Sequence, residues 1–229
     1  MNIEILQLIE GARQARGIAV IIDVFRAFTV ECFVTKNGAA RLYAVGDKAL
    51  AYEFKEKDPT CILIGEREGK KLPGFDYGNS PSDVENVDFA GRTVVHTTSA
   101  GTQGVDNAVN ADEIITGSLC NAKAVAEYIR RGSYEQVSLV CMGLGGKEPT
   151  DEDTLCAEYI KSLLEGSDID LSTRMYNLRY TSGAKFFDPA KQQVFPEADF
   201  HLCCRNDSFD FVLRAEKEGN VYRMKRIDL

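Results

Sequence analysis

With 229 residues, 44% hydrophobic and 27% charged, the chain has the composition of an ordinary folded domain, which excludes disordered, collagen-like and coiled-coil classes. A balance of 35 Asp+Glu against 27 Lys+Arg gives a net charge of -8 and argues against a general nucleic-acid binder, although a local pocket can still receive a small anion. Seven cysteines sit mostly in apolar runs, the first ten residues lack a basic leader, and no stretch approaches the roughly 18 apolar residues of a membrane span. These features lead to the expectation of reduced, buried thiols in a cytoplasmic protein without a membrane segment.

In chain order, short β-branched runs alternate with helical patterns. Strands are expected at Ile18 to Ile22, Arg41 to Val45, Cys61 to Gly65, Thr93 to Thr97, Glu113 to Thr116 and Gln136 to Cys141. Between them, Ala27, Val30, Phe33 and Val34 share one helical face, Asp47 caps a helix carrying Leu50, Ala51 and Phe54, and Asn121 caps one carrying Val125 and Ile129. Beyond Leu164, Tyr176 to Tyr180, Phe186, Phe187 and Phe195 suggest packing helices and turns, and Asn220 to Met224 a terminal strand. The alternation predicts an α/β fold in three layers, α/β/α, around a largely parallel sheet.

Ala27, Thr29, Asn37 and Leu42 recur as Ala100, Thr102, Asn110 and Ile115 at a constant offset, so the chain reads as one βαβ-type unit used twice. Chance alignment of two apolar-periodic units explains the match equally well. The expected organisation is one compact unit over 1–229, or two intimately packed subdomains of about 1–90 and 91–229. Either way the turns after equivalent strands fall in equivalent places, and open α/β sheets bind ligands at strand carboxyl ends.

Four polar segments occupy such ends. Asp23-Val24-Phe25-Arg26 follows an apolar strand; the pair suits metal or anion binding, or equally an N-cap with an arginine on the first turn. Gly65 to Pro81 is too long and aperiodic for an ordinary connection and contains Glu66, Arg67, Asn79 and Ser80. Thr97-Thr98-Ser99-Ala100-Gly101-Thr102 has the small hydroxyl residues and glycine of an anion-binding nest. Thr150 and Asp153 have capping-box-like spacing, with a cleft carboxylate as the sharper reading of Asp153. No P-loop or dinucleotide fingerprint is present, and two histidines, His96 and His201, are too few for a His-rich zinc site. Any catalytic metal is therefore expected to be oxygen-bound Mg²⁺.

Together these segments resemble the 2-phosphosulfolactate phosphatase (ComB-like) family, through Asp23-Val24-Phe25-Arg26-Ala27, Gly65-Glu66-Arg67-Glu68-Gly69, Phe75 to Pro81, Thr97 to Thr102 and the helix start Glu152-Asp153…Cys156. The resemblance implies an α/β fold, Mg²⁺ dependence and hydrolysis of a phosphate ester on a sulfonated hydroxy acid in coenzyme M biosynthesis. On that basis Asp23, Glu66 and Asp153 are expected to hold Mg²⁺ and act in catalysis. Arg26, Arg67, Asn79, Ser80, Thr97, Thr98, Gly101 and Thr102 are expected to bind the phosphate and the other anionic groups. Ala100, Phe28 and Glu158 depart from the family pattern, which leaves another small phosphorylated acid open as substrate, and a non-catalytic anion binder as the alternative. A symmetric homo-oligomer is the base-rate expectation.

Overall fold

The computed structural model describes all residues, 1–229. In chain order the elements are β1 (Asn2–Gln7), α1 (Leu8–Gln14), β2 (Ile18–Ile22), α2 (Ala27–Lys36), β3 (Arg41–Ala44), α3 (Lys48–Lys57), β4 (Ile62–Arg67), β5 (Lys70–Lys71) and α4 (Pro81–Val84). They continue with β6 (Thr93–Thr97), α5 (Gly101–Asn107), β7 (Glu113–Gly117), α6 (Ala122–Arg131), β8 (Gln136–Cys141), α7 (Asp151–Glu165), α8 (Leu171–Asn177), α9 (Glu197–Cys203), β9 (Phe211–Glu218) and β10 (Val221–Asp228). Every strand expected from the sequence is present within two residues of its expected ends, except that β10 runs four residues further. β1, β9 and the two-residue β5 are additional.

All strands join one sheet in the order β1-β8-β2-β7-β9-β10-β3-β6-β4-β5. β2 pairs in parallel with both β7 and β8, and β6 pairs in parallel with both β3 and β4. The units β2-α2-β3-α3-β4 and β6-α5-β7-α6-β8 therefore exchange their first strands: each inserts between the second and third strands of the other. Three antiparallel steps, β7 to β9, β9 to β10 and β10 to β3, separate the two parallel blocks, so the blocks run in opposite directions.

The layering follows from strand periodicity. All of β2 is buried, with Ala19 and Ile21 in one apolar cluster and Ile18, Val20 and Ile22 in another. Alternate side chains point to opposite faces, so both faces must be covered. On one side lie Phe28, Val30 and Phe33 of α2 and Val105 of α5; on the other lie Val125 and Ile129 of α6 and Ile160 of α7. The result is the expected α/β/α arrangement.

Local capping differs in two places. Asp47 caps α3 by accepting from Ala49 N–H at 2.9 Å, as expected. Asn121 does not cap α6: its Oδ1 accepts from Ser118 N–H at 3.0 Å, closing a short 3-10 turn ahead of the helix. Thr150 makes no side-chain cap on α7, and Asp153 turns away from the helix start to bind two other turns. The segment Gly65 to Pro81 is ordered by β5 and by Tyr77, whose carbonyl accepts from Gly65 N–H at 3.1 Å. The stretch between α8 and α9 consists of 3-10 turns around Phe186, Leu178 and Phe200, which pack on Leu155 of α7. No helix is long and apolar enough to cross a membrane. All seven cysteines are free, and six are buried.

Candidate active site

The turns after β2, β4, β6 and β8 meet at one cleft of about 640 Å³, lined by Asp23, Arg26, Glu66, Arg67, Ala100 and Gly143 among others. Convergence across the two blocks requires close approach of backbones, and the glycines show where. A Cβ on Gly101 would stand 2.8 Å from Ala27 Cβ and 2.9 Å from Asp23 Oδ2. At Gly143, with φ +64, it would meet the Glu148 carbonyl at 2.1 Å.

Asp23 is buried at the end of β2. Its Oδ1 accepts from Ala27 N–H at 3.1 Å, holding the side chain against the start of α2, while Oδ2 accepts no hydrogen bond and faces Gly101. Burial pushes its pKa up to about 6, against the Ala27 N–H, with the charges of Glu66 and Glu152 adding to the rise and His96 opposing it.

Glu66 and Asp153 are spent largely on backbone. Glu66 Oε1 accepts from Ser99 N–H at 2.7 Å, and Oε2 accepts from Gly69 N–H at 2.7 Å and Ser99 Oγ at 3.1 Å. Asp153 accepts from Val24 N–H and Gly143 N–H, each at 2.8 Å, clamping the turns after β2 and β8 to α7. Burial first, then Glu152 and Asp23, holds its carboxyl well above the usual range. No three His, Cys, Asp or Glu side chains lie together so as to hold a metal ion. Of the three carboxylates expected to hold Mg²⁺, Asp23 alone keeps an oxygen that accepts no hydrogen bond. The other two serve turn N–H groups that a buried fold must satisfy.

Among the expected anion binders, Arg26, Arg67 and Asn79 line the cleft. Arg26 Nη1 donates to Asp199 Oδ2 at 2.7 Å and to the Val194 carbonyl at 2.9 Å, Nη2 reaches only the Gly69 carbonyl at 3.5 Å, and the guanidinium lies over the Phe195 ring at 4.9 Å. Arg67 donates to the carbonyls of Glu66 and Gly46 and to Thr97 Oγ1 at 3.0 Å, and forms no ion pair. Ser80 lies on an adjoining cavity and donates to Asp199 Oδ1 at 2.9 Å.

Thr97, Thr98, Gly101 and Thr102 do not line the cleft; Ser99 and Ala100 of that turn do. Thr98 and Thr102 are buried and satisfy each other: Thr98 N–H donates to Thr102 Oγ1 at 2.9 Å, and Thr102 Oγ1 donates to the Thr98 carbonyl at 3.1 Å. Of the three departures from the family pattern, only Ala100 reaches the cleft. Phe28 is core, and Glu158 pairs with Arg174.

Sequence reasoning missed three residues that line the cleft. Lys147, Lys185 and Phe195 line the cleft, and neither lysine forms an ion pair. Lys185 Nζ lies over three rings, Phe25 at 5.8 Å, Phe186 at 5.5 Å and Phe195 at 5.4 Å, so it is held without a carboxylate partner. Glu152, adjacent to Asp153, is buried with Oε2 unpartnered; burial raises its pKa and the Lys185 charge opposes the rise. Only the buried acidic pair at the start of an apolar helix signalled Glu152 in the sequence. Cys141 is a buried strand-end thiol whose pKa is raised first by burial and then by Asp153.

Fold and cleft together define an α/β protein whose strand ends open on a cleft lined by Arg67, Lys147 and Lys185 together with the buried Asp23. The chain belongs to the 2-phosphosulpholactate phosphatase family, whose model matches residues 3–218, and so to a family of phosphoric monoester hydrolases. It is 28% identical over 213 residues to a probable 2-phosphosulfolactate phosphatase of Bacillus subtilis (strain 168), covering 92% of each chain. Similarity to proteins of the same description reaches 34% over 212 residues in Caldicellulosiruptor saccharolyticus, covering 85% of this chain and 87% of the relative. In Carboxydothermus hydrogenoformans it is 37% over 178 residues, covering 77% and 73%.

Proposed function

We propose that the protein hydrolyses the phosphate ester of 2-phosphosulfolactate, or of a similar small phosphorylated acid, with Mg²⁺ as its metal. Such a substrate belongs to coenzyme M biosynthesis and to a cytoplasmic enzyme. The observation that carries the reading is the presence in one cleft of Arg67, Lys147 and Lys185, none in an ion pair, above Asp23. A substrate bearing phosphate, sulfonate and carboxylate needs several cations, and an acidic chain of net charge -8 supplies them only locally.

The donor set suits Mg²⁺. This ion takes one or two carboxylates and completes its octahedron with water and phosphate oxygens, so it does not need a cage of three acids. Asp23, through its free Oδ2, and Glu152, with Oε2 unpartnered, are the residues that would hold it. When bound, Mg²⁺ neutralises charge on the phosphoryl oxygens. The chain's own residues do the rest: Arg67, Lys147 and Lys185 bind the anionic groups, Phe25 and Phe195 fix Lys185 and exclude water, and Asp153 holds the turns of Asp23 and Gly143 in register.

The test is phosphate release from a panel of phosphorylated three-carbon acids, including 2-phosphosulfolactate, with Mg²⁺ and again with excess chelator. Metal-dependent release from the sulfonated substrate is expected. Thermal stabilisation by a phosphorylated acid with no release from any panel member would overturn hydrolysis and leave a non-catalytic anion binder.

A further inference from the structure

A buried polar string runs from the core to the cleft and takes no part in the chemistry described above. Glu31 on α2 is fully buried, and its Oε1 lies 2.9 Å from Nδ1 of His96 on β6, itself buried. The other ring nitrogen, Nε2, lies 3.3 Å from Oδ1 of Asn79, which lines both the 640 Å³ cleft and the adjoining cavity of about 440 Å³. Glu31 Oε2 has no partner. A carboxylate and an imidazole inside an apolar core are costly, and packed apolar side chains would serve stability better. The three residues come from α2, β6 and the loop after β5, so no local capping or turn requirement accounts for them.

We infer that Glu31 and His96 are positioning residues that set the Asn79 carboxamide for anion binding. An amide oxygen only accepts, so His96 donates from Nε2 and holds Oδ1 toward the core. The Glu31 carboxyl at Nδ1 fixes the ring in that orientation, as second partners of functional histidines do. The Asn79 Nδ2 group donates to no protein acceptor, and the pinned Oδ1 leaves it to the cleft. Its ligand is an anionic oxygen of phosphate, sulfonate or carboxylate type. The identity of the anion rests on the proposed function, whereas the string itself does not.

The experiment is a double-mutant cycle with inorganic phosphate as the probe, read by calorimetry, alongside KM and kcat for the phosphorylated acid. Asn79→Ala and His96→Gln are each expected to weaken phosphate binding about 5- to 30-fold, and to raise KM more than they lower kcat. In an Asn79→Ala background, His96→Gln is expected to cost little further affinity. Glu31→Gln, which keeps the shape of the core, should reproduce a smaller part of the loss and vanish likewise in the Asn79→Ala background. Equal loss in both backgrounds, or a lower melting temperature with unchanged phosphate affinity, would overturn the inference and make the string purely structural. Should the cycle hold with no phosphorylated acid turned over, the string stands and the hydrolytic reading falls.

Discussion

The turns after β2 and β6 occupy equivalent places in the two exchanged units, yet they do different work. The first is ionic: Asp23 and Arg26 both reach the cleft. The second is neutral, and its hydroxyls are consumed in holding its own shape, Thr98 against Thr102. The ends of β4 and β8 repeat the division, with Glu66 and Arg67 on one and Met142 and Gly143 on the other. At the strand ends themselves one unit carries the charge and its twin supplies small residues that let it come close, as Gly101 does for Asp23, while Lys147 adds a cation further along the loop after β8. Two equally charged turns at this distance would repel, so the asymmetry is what allows one compact cleft.

The sharpest way to break the comparison is to neutralise the ionic turn. Asp23→Asn keeps the acceptor for Ala27 N–H but removes the carboxylate, and phosphate release should fall roughly 10²- to 10⁴-fold with no loss of thermal stability. A fall below tenfold in a steady-state assay would show that the charge on this turn is not needed.

Asp23 also gives the ionic turn a pH signature that the neutral one lacks. Its folded pKa, about 6, lies above the usual 3.8, so the folded state holds the proton more tightly. In chelator, the stability that Asp23 contributes is therefore complete below about pH 3.8 and is lost as pH rises through about 6, a difference of about 3 kcal/mol. Denaturant midpoints from pH 4 to 7 should fall more steeply in the wild type than in Asp23→Asn; parallel curves would contradict this.

On the neutral side, Gly101→Ala should cost about 1–3 kcal/mol in chemical denaturation, because its Cβ meets Ala27 and Asp23. Catalysis should fall with it, since Asp23 Oδ2 must move. Thr102→Val is the smallest expected effect. Losing the hydroxyl bonded to Thr98 should cost about 1 kcal/mol of stability while kcat and KM hold, and a large kinetic loss would restore Thr102 to ligand binding.

Side-chain pattern made the central strands legible. β2 and β8 are apolar runs buried on both faces, which only a covered parallel sheet explains. β1 and β9 escaped because each is only partly buried: β1 is an edge strand, and β9 passes from Phe211-Val212-Leu213 to the exposed Lys217-Glu218. Of the cleft, Asp23, Arg26, Glu66, Arg67 and Asn79 were legible as polar residues at or near strand ends. Lys185 and Phe195 were not, because their segment has no periodicity and reaches the cleft only through long-range packing around Phe186, and Lys147 was not, because its glycine-rich loop has no periodicity either.

By itself the sequence determined the α/β alternation and the polar strand ends, both of which depend on short-range spacing. Tertiary structure decided which polar groups remain for a ligand. Asp153, Glu66, Thr98 and Thr102 are the right residue types, but backbone groups, local at Thr98 and Thr102 and partly from distant turns at Asp153 and Glu66, claim their hydrogen bonds first. Buried N–H groups must find acceptors, and spacing along the chain does not reveal which side chain will be nearest.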